Sequence, residues 1–212
     1  MDHPNSDISF TTRVLVISGP SGVGKMTLVQ HVLAEFNGVF RVGVSVTTRK
    51  PRPGEVNGKD YHFVTEQEFT RKIEHGHFIE HKMVHGFRYG TLRKELTKAG
   101  EAGQILLAEL DVQGSEALLA DSMVSRDLCR IFITVTDPRD LYERILRRHG
   151  KKEIRADDVL TRVENAVVEM AFAHQFDFVV KNDALDKAKA DICDVVDFYL
   201  TCGKLPVRMT KG

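Results

Sequence analysis

A glycine-rich segment between two hydrophobic patterns is the strongest constraint on how this 212-residue chain folds. The segment reads Gly19-Pro-Ser-Gly-Val-Gly-Lys25 and follows the β-branched run Arg13-Val-Leu-Val-Ile17. Apolar residues at helical spacing come after it: Val29, Val32, Leu33 and Phe36. Glycines let backbone N–H groups turn around phosphates, and the next helix adds the positive end of its dipole. We therefore predict a strand, a phosphate-binding loop and a helix, with Lys25 reaching the β- and γ-phosphates of a nucleotide.

One position of this P-loop pattern is irregular. The residue after the lysine is expected to be Ser or Thr, whose hydroxyl binds Mg²⁺, but here it is Met26. A thioether is a poor Mg²⁺ ligand, and Thr27 points about 100° away around the helix. Two interpretations stay open: Mg²⁺ is held by ATP oxygens, waters and a distant carboxylate, or the chain binds nucleotide without turnover.

The rest of the chain alternates strand and helix patterns. Strands are predicted at 104–108, 130–135 and 176–180, and helices at about 25–36, 65–76, 91–100, 137–150, 159–170 and 185–200. The helix from 159 is expected to carry its apolar residues on one face: Val159, Val163, Ala166, Val167 and Met170. Residues 39–64 predict a small β-rich insertion, and the charged residues 151–158 predict a mobile loop. This alternation favours an α/β fold, a parallel sheet flanked by helices.

Composition limits the classes of partner. Lys plus Arg and Asp plus Glu both total 30, so no overall field favours nucleic acid or an anionic membrane. Basic residues concentrate at 49–52 and 144–155, which indicates local anion sites. The three cysteines form no C-x-x-C pair, no stretch approaches the ~20 apolar residues of a membrane span, and residues 1–12 lack a signal-peptide pattern. We expect a reduced, cytoplasmic protein.

A second motif lies between Ser45 and Tyr61. It reads Ser-Val-Thr-Thr-Arg49-Lys-Pro-Arg52-Pro-Gly-Glu-Val-Asn-Gly-Lys-Asp-Tyr, in which two arginines between prolines suit a phosphate or carboxylate clamp. Standing alone, the segment would fit a solvated charged loop equally well. It closely resembles the GMP-binding region of guanylate kinases, and the resemblance extends over about 13–200. The resemblance implies transfer of the γ-phosphoryl group of ATP to GMP, giving ADP and GDP, in purine nucleotide metabolism.

The resemblance also implies which residues bind GMP. Its phosphate would be bound by Arg49, Arg52, Tyr61 and Tyr89, and its base would be read by Ser45, Glu80 and Thr91. A carboxylate can accept from the N1–H and 2-amino groups of guanine together, whereas adenine offers no such paired donors. Three further acids complete the predicted GMP-binding set: Glu55, Glu109 and Asp111. Glu109 stands where the family usually has Asp, and Asp111 is the one candidate metal contact, through water.

On the ATP side, the resemblance matches the phosphate-binding loop, two arginine-bearing helices and an adenine-side turn. The predicted ATP-binding residues are Gly19, Pro20, Ser21, Gly22, Val23, Gly24, Lys25, Met26, Thr27, Arg144, Asn182 and Asp183. Positive charge on the migrating phosphoryl group is what phosphoryl transfer requires. The predicted catalytic residues are Lys25, Arg52, Arg148 and Arg162. We expect a P-loop NTPase-type single domain over 1–212, with a core (13–44, 97–147 and 159–200), a small β-rich GMP-binding region (45–96) and a lid (148–158).

Two functions of different class are open at this point. The first is a kinase that uses ATP with Mg²⁺ and GMP, contacts neither nucleic acid nor membrane, and is a monomer or weak homodimer. The alternative is a catalytically impaired guanylate kinase-like module that binds nucleotide or a phosphorylated protein partner. Lys25 and all the loop glycines are present, which favours the enzyme. A kinase for another nucleotide is countered by Ser45, Glu80 and Thr91.

Overall fold

The computed structural model describes residues 13–84, 86–121, 124, 127–149 and 156–202. The strands in these residues are β1 (Val14–Ser18), β2 (Phe40–Val42), β3 (Val46–Thr47), β4 (His62–Phe63), β5 (Phe78–Val84), β6 (Phe87–Leu92), β7 (Ile105–Glu109), β8 (Leu128–Thr134) and β9 (Phe178–Lys181). The helices are α1 (Lys25–Glu35), α2 (Glu66–Glu74), α3 (Arg93–Glu101), α4 (Val112–Ala120), α5 (Arg139–His149), α6 (Ala156–Met170) and α7 (Leu185–Cys202), with a 3₁₀ turn at Ala173–Gln175. Within the described residues, every helix is too short or too polar to cross a membrane.

The strand that precedes the glycine loop lies at the centre of a parallel sheet. Five strands pair in the order β2-β7-β1-β8-β9. Leu15 and Ile17 of β1 pack with residues of α1 and α7, whereas Val14 and Val16 pack with residues of α3 and α4. Because both faces are covered by helices, β1 is a continuous apolar run rather than an alternating one. The predicted α/β architecture is confirmed.

A second, smaller sheet carries the segment with the two arginines. Its order is β4-β3-β6-β5, and β5 and β6 form an antiparallel pair in which Glu80 stands opposite Thr91. The helix α2 begins with a capping box of Thr65 and Glu68 and buries Phe69 against the ring of Phe78, with ring centroids 4.5 Å apart. This sheet therefore has its own small core next to the main sheet.

Three sequence expectations need correction. The turn and alternation pattern places β2 in an insertion over 39–64, whereas the bounds taken from the resemblance put 13–44 in the core. β2 pairs with β7 in the main sheet, so the pattern is wrong here, because three residues are too few to show which sheet they join. The strands β5 and β6 and the helix α4 were not predicted. The helix α6 begins at Ala156, inside the predicted loop 151–158, since a charged run is also compatible with the first turn of a helix.

The predicted apolar face of α6 is buried only in part. Val159 and Ala166 are buried, but Val167 is 48% exposed. A step from 166 to 167 turns the side chain by about 100°, which carries it off the buried face. Residues 1–12 and 150–155, which include the centre of the predicted lid, lie outside the described residues.

Candidate active site

The phosphate-binding loop joins the carboxyl end of β1 to the first turn of α1. Gly19 has φ +138°, and a Cβ there would lie 2.2 Å from the carbonyl oxygen of Ile133 on β8. Gly24 has φ +97° and would place a Cβ 2.5 Å from Nδ2 of Asn182. Both positions therefore require glycine. Lys25 Nζ donates to the carbonyls of Gly19 (2.7 Å) and Pro20 (3.1 Å), so its ammonium group lies over the loop.

The predicted adenine-side turn, at Asn182 and Asp183, is hydrogen-bonded to this loop. Asn182 is only 5% exposed, and its Nδ2 donates to the carbonyl oxygen of Val23 at 2.8 Å. Arg144 donates to the carbonyl oxygen of Asn182 at 2.7 Å. The carboxylate of Asp183 accepts from the N–H and the hydroxyl of Thr136, both at 2.7 Å. Asn182 and Asp183, predicted as ATP-binding residues, thus hold the turn and the loop in position.

The irregular position of the loop lies on its open side. Met26 is 57% exposed, and Ser21 and Thr27 are also exposed. Glu109, at the carboxyl end of β7, has Oε1 3.9 Å from Lys25 Nζ. The described residues contain no group of three or more His, Cys, Asp or Glu side chains that could hold a metal ion. This sparse donor set fits a Mg²⁺ ion bound mainly by phosphate oxygens and water.

The two predicted phosphate-clamp arginines differ in their surroundings. Arg49 makes a bidentate pair with Glu55, at 2.8 and 2.9 Å, and lies over the rings of Tyr61 and Phe63 at 5.5 and 5.7 Å. The N–H of Arg52 also donates to Glu55 at 2.7 Å, while the Arg52 side chain is exposed. The pair with Arg49 lowers the pKa of Glu55 from its ordinary value. Glu55, predicted to bind GMP, is positioned here to shape the arginine loop.

The predicted base-reading residues lie together on adjacent strands. Thr91 donates its hydroxyl hydrogen to Glu80 at 2.7 Å, and both side chains are buried. Ser45 precedes Val46, which pairs with Gly90, so it lies beside Thr91 across the strands. Burial raises the pKa of Glu80, against the opposing effect of the bond from Thr91.

A second carboxylate meets Glu80 at the start of α4. Asp111 caps this helix by accepting from the N–H of Gly114 at 2.9 Å. A Cβ on Gly114 would lie 3.3 Å from both Glu80 Oε2 and Asp111 Oδ1, so the two carboxylates flank this glycine. The other oxygen of Asp111, Oδ2, lies 2.6 Å from Nζ of Lys82. The water-mediated metal contact of Asp111 stays a prediction.

Sequence reasoning missed two charged residues of this region. Lys82 lies two positions after Glu80 on β5, so the alternation of a strand would have placed both on one face had β5 been predicted. Glu169 is half-buried on α6; burial raises its pKa, and Lys25 and Lys82 act in the opposite direction while Asp111 adds to the rise. Nothing in the sequence around Glu169 distinguishes it from other charged residues of that helix.

The arginines predicted for the lid are placed only in part. Arg144 lies on α5 and contacts the turn at Asn182. Arg162 is half-buried on α6, which packs against α5. The backbone of Arg148 belongs to α5, and its side chain lies outside the described part of the structure. Its predicted role stays a prediction.

The chain resembles proteins of one family over nearly its whole length. It matches the family model described as guanylate kinase over residues 11–199. It is 41% identical over 186 residues to the guanylate kinase of Thermotoga maritima, which covers 87% of this chain and 86% of that protein. It is 38% identical over 185 residues to the guanylate kinase of Homo sapiens, covering 85% and 90%. The crystal structure of guanylate kinase from Anaplasma phagocytophilum has a TM-score of 0.68 and 29% identity, covering 93% of this chain and 92% of that one.

Proposed function

Since this chain belongs to the guanylate kinase family and is an ATP-dependent kinase of GMP, we propose which of its residues bind ATP, bind GMP and assist phosphoryl transfer. The observation that carries the proposal is the end of β7, which borders both halves of the site. Glu109 lies 3.9 Å from Lys25 of the phosphate-binding loop, and Asp111 flanks Gly114 together with the base-reading Glu80. Donor and acceptor nucleotides bound to these two halves would meet at this strand end.

On the donor side, the loop Gly19–Lys25, with Met26 and Thr27, binds the phosphates of ATP. Its N–H groups and the positive end of α1 favour anions. Lys25 exchanges its two carbonyl partners for phosphate oxygens, which is favourable because a charged partner makes the stronger bond. Arg144 and the Asn182–Asp183 turn border the adenosine side and hold the loop in shape.

On the acceptor side, the phosphate of GMP binds the clamp of Arg49, Arg52, Tyr61 and Tyr89. Glu55 orients this clamp, since it accepts from both the Arg49 side chain and the Arg52 backbone. The base binds at Ser45, Glu80, Thr91 and Asp111. The buried, ionised carboxylate of Glu80 accepts from the N1–H and 2-amino groups, and these two bonds select guanine.

Transfer itself requires positive charge around the migrating group and exclusion of water. Lys25, Arg52, Arg148 and Arg162 supply that charge, and the lid over 148–158 closes on the bound nucleotides. No covalent intermediate with the protein is required, because the two substrates are held in line. Closure brings the lid arginines to the γ-phosphoryl group only when both nucleotides are present.

Mg²⁺ is the ion expected to accompany ATP, and when bound it would neutralise negative charge on the phosphates. Glu109, whose Oε1 lies 3.9 Å from Lys25 Nζ at the end of β7, would contact waters of the ion. The exposed Met26 contributes no hydroxyl ligand, so the protein contributes less to Mg²⁺ binding than a loop with Ser there.

Met26→Ser tests this account of the metal. We expect the Mg²⁺ concentration for half-maximal rate to fall about tenfold at fixed ATP and GMP, because a hydroxyl ligand is added on the open side of the loop, equivalent to ~1.4 kcal/mol. The measurement is a Mg²⁺ titration of the initial rate. Met83 of β5 is also an exposed methionine, so Met83→Ser serves as the matched control and should leave the titration unchanged. Superimposable curves for Met26→Ser and the unmodified chain would show that position 26 is not a missing ligand site.

The activity is tested by a coupled assay of ADP formation. The unmodified chain is incubated with ATP, Mg²⁺ and GMP, and separately with AMP, CMP or UMP as acceptor. We expect turnover that depends on GMP and is at least about 100-fold weaker with the other three, as expected for a site built to hydrogen-bond its base. Absence of GMP-dependent ADP formation would contradict the activity. Nucleotide binding without turnover would instead support the alternative, a catalytically impaired guanylate kinase-like module.

We also propose a cellular location, an oligomeric state and the absence of macromolecular partners. The chain is expected to act in the cytoplasm as a single domain, a monomer or weak homodimer, without nucleic acid or membrane as partner. The three cysteines are free thiols, which suits a reducing compartment. The equal numbers of acidic and basic residues support the absence of nucleic acid and anionic membrane as partners.

A further inference from the structure

The ion pair between Lys82 and Asp111 is not explained by the roles proposed so far. Lys82 Nζ lies 2.6 Å from Asp111 Oδ2, and the two side chains are 21% and 34% exposed. Lys82 belongs to the smaller sheet that carries the acceptor site, whereas Asp111 lies in the turn between β7 and α4 of the main sheet. The pair thus joins the two parts that must cooperate in binding GMP.

The geometry makes Lys82 the residue that fixes the orientation of Asp111. One oxygen of Asp111 accepts from the N–H of Gly114, which caps α4, and the other contacts Lys82. With both oxygens held, the carboxylate cannot rotate about its last bond. Because the pair is mostly shielded from water, removal of one partner leaves a partly buried charge, which costs more than loss of a surface pair.

Lys82 also lies near Glu80, the buried acid proposed to read the base. Glu80 and Lys82 point to the same face of β5, two positions apart. Glu80 faces Thr91 from β6 and Asp111 from the turn before α4; burial and the charge of Asp111 raise its pKa, while Thr91 and Lys82 lower it. Without Lys82, the negative charge of Asp111 would act on Glu80 unopposed by any lysine on this face of β5.

The charge of Glu80 decides which base the pocket can accept. An ionised carboxylate offers two acceptors, which match the N1–H and 2-amino donors of guanine. A protonated carboxyl offers one donor and one acceptor, which match the N1 acceptor and 6-amino donor of adenine. Any group that keeps the carboxylate ionised therefore favours guanine over adenine.

We propose that Lys82 is a positioning residue for base selection, which fixes the Asp111 carboxylate beside Glu80 so that both acids accept from guanine. The inference rests on the proposed roles of Glu80 and Asp111 as base readers. It assigns to Lys82 no contact with the phosphates and no part in the transfer step. Its loss should therefore weaken recognition of GMP and leave ATP binding and the chemical step unaltered.

The test compares Lys82→Met with Lys82→Arg in steady-state kinetics. For Lys82→Met we expect the KM for GMP to rise about tenfold, while kcat and the KM for ATP change less than about twofold. The ratio of kcat/KM for GMP to that for AMP should fall by at least the same factor. Lys82→Arg, which keeps the charge, should recover most of the loss. Lys187→Met removes an equally short pair with Asp191 on α7 and serves as the matched control, expected to behave as the unmodified chain.

Two further variants distinguish a wrong role for Lys82 from a wrong base-reading site. In an Asp111→Asn background, Lys82→Met should add less than about threefold to the KM for GMP, because its partner is already neutral. Equal KM changes for GMP and ATP, an unchanged GMP-to-AMP ratio, or a Lys82→Arg variant as impaired as Lys82→Met would overturn the inference. If Glu80→Gln raises the KM for GMP but Lys82→Met does not, only the role of Lys82 is wrong. If neither variant changes it, the proposed base-reading site is wrong as well.

Discussion

Lys25→Met is expected to lower kcat/KM for phosphoryl transfer about 10³-fold, close to 4 kcal/mol of transition-state stabilisation. The ammonium group lies over the phosphate-binding loop with both of its carbonyl partners in the loop itself, at 2.7 and 3.1 Å. It is therefore preorganised at the point where charge develops on the β–γ bridge and the migrating group. Methionine keeps the length and the apolar stem of the side chain and removes only the charge. The decrease in kcat/KM should be measured with the coupled assay of ADP formation at saturating GMP.

Two comparisons make this result specific. Binding of ATP, measured by calorimetry, should weaken much less than the rate falls, because interactions made mainly in the transition state reduce kcat rather than affinity. Lys25→Arg should not restore the rate, since a planar guanidinium cannot take the place of a compact ammonium between the phosphate-binding loop and the phosphate oxygens. Lys187→Met on α7 is the control for loss of a lysine. A Lys25→Met variant within tenfold of the unmodified chain would contradict the proposed role.

Glu80→Gln is expected to lower kcat/KM for GMP about 10²- to 10³-fold, mainly through KM. The amide keeps the shape of the side chain but presents one N–H donor to the N–H donors of guanine, which loses two charge-assisted bonds at ~1.5–2 kcal/mol each. Glu80 is 7% exposed, so water cannot compensate for the mismatch. The KM for ATP should be unaltered. Glu101→Gln, an exposed change on α3, is the matched control and should show ordinary kinetics.

The same variant has a pH signature with a defined sign. Burial raises the pKa of Glu80 above its ordinary value, and the carboxylate is the form that accepts from guanine. As pH falls through this raised pKa, the free enzyme loses the binding form and kcat/KM for GMP declines; above it, the dependence is flat. The part of this acid limb that Glu80 contributes should be absent in Glu80→Gln, because glutamine does not titrate, while the part due to the GMP phosphate, whose second pKa is about 6, should remain in both. An acid limb unchanged in the variant would assign the titration to another group and contradict the role of Glu80.

Much of the site could be predicted from the sequence because its chemistry is local. The run from Gly19 to Lys25 contains the glycines, the lysine and the flanking strand and helix patterns within a few turns of chain, so their mutual placement follows from backbone geometry alone. The capping box at Thr65 and Glu68 is predictable for the same reason. The resemblance to guanylate kinases added the acceptor residues, which are spread over a longer segment.

The parts that could not be predicted depend on pairing between distant segments. β2 belongs to the main sheet because it pairs with β7 more than sixty residues later, and no periodicity within three residues encodes that partner. The support of the phosphate-binding loop by Asn182 joins residues 159 positions apart. Its amide looks, in sequence, like one more polar residue after a strand.

The sequence by itself determined that this chain contains a phosphate-binding loop on a parallel α/β sheet, because alternation and glycine spacing act over neighbouring residues. The resemblance to guanylate kinases predicted Arg49, Arg52 and Glu80 as acceptor-binding residues. Only the tertiary structure decided that Glu80 and Asp111 flank Gly114 and that Lys82 faces Asp111. The physical reason is that strand register and the approach of β5 to α4 are set by the packing of two sheets, and charge balance in the pocket depends on that approach.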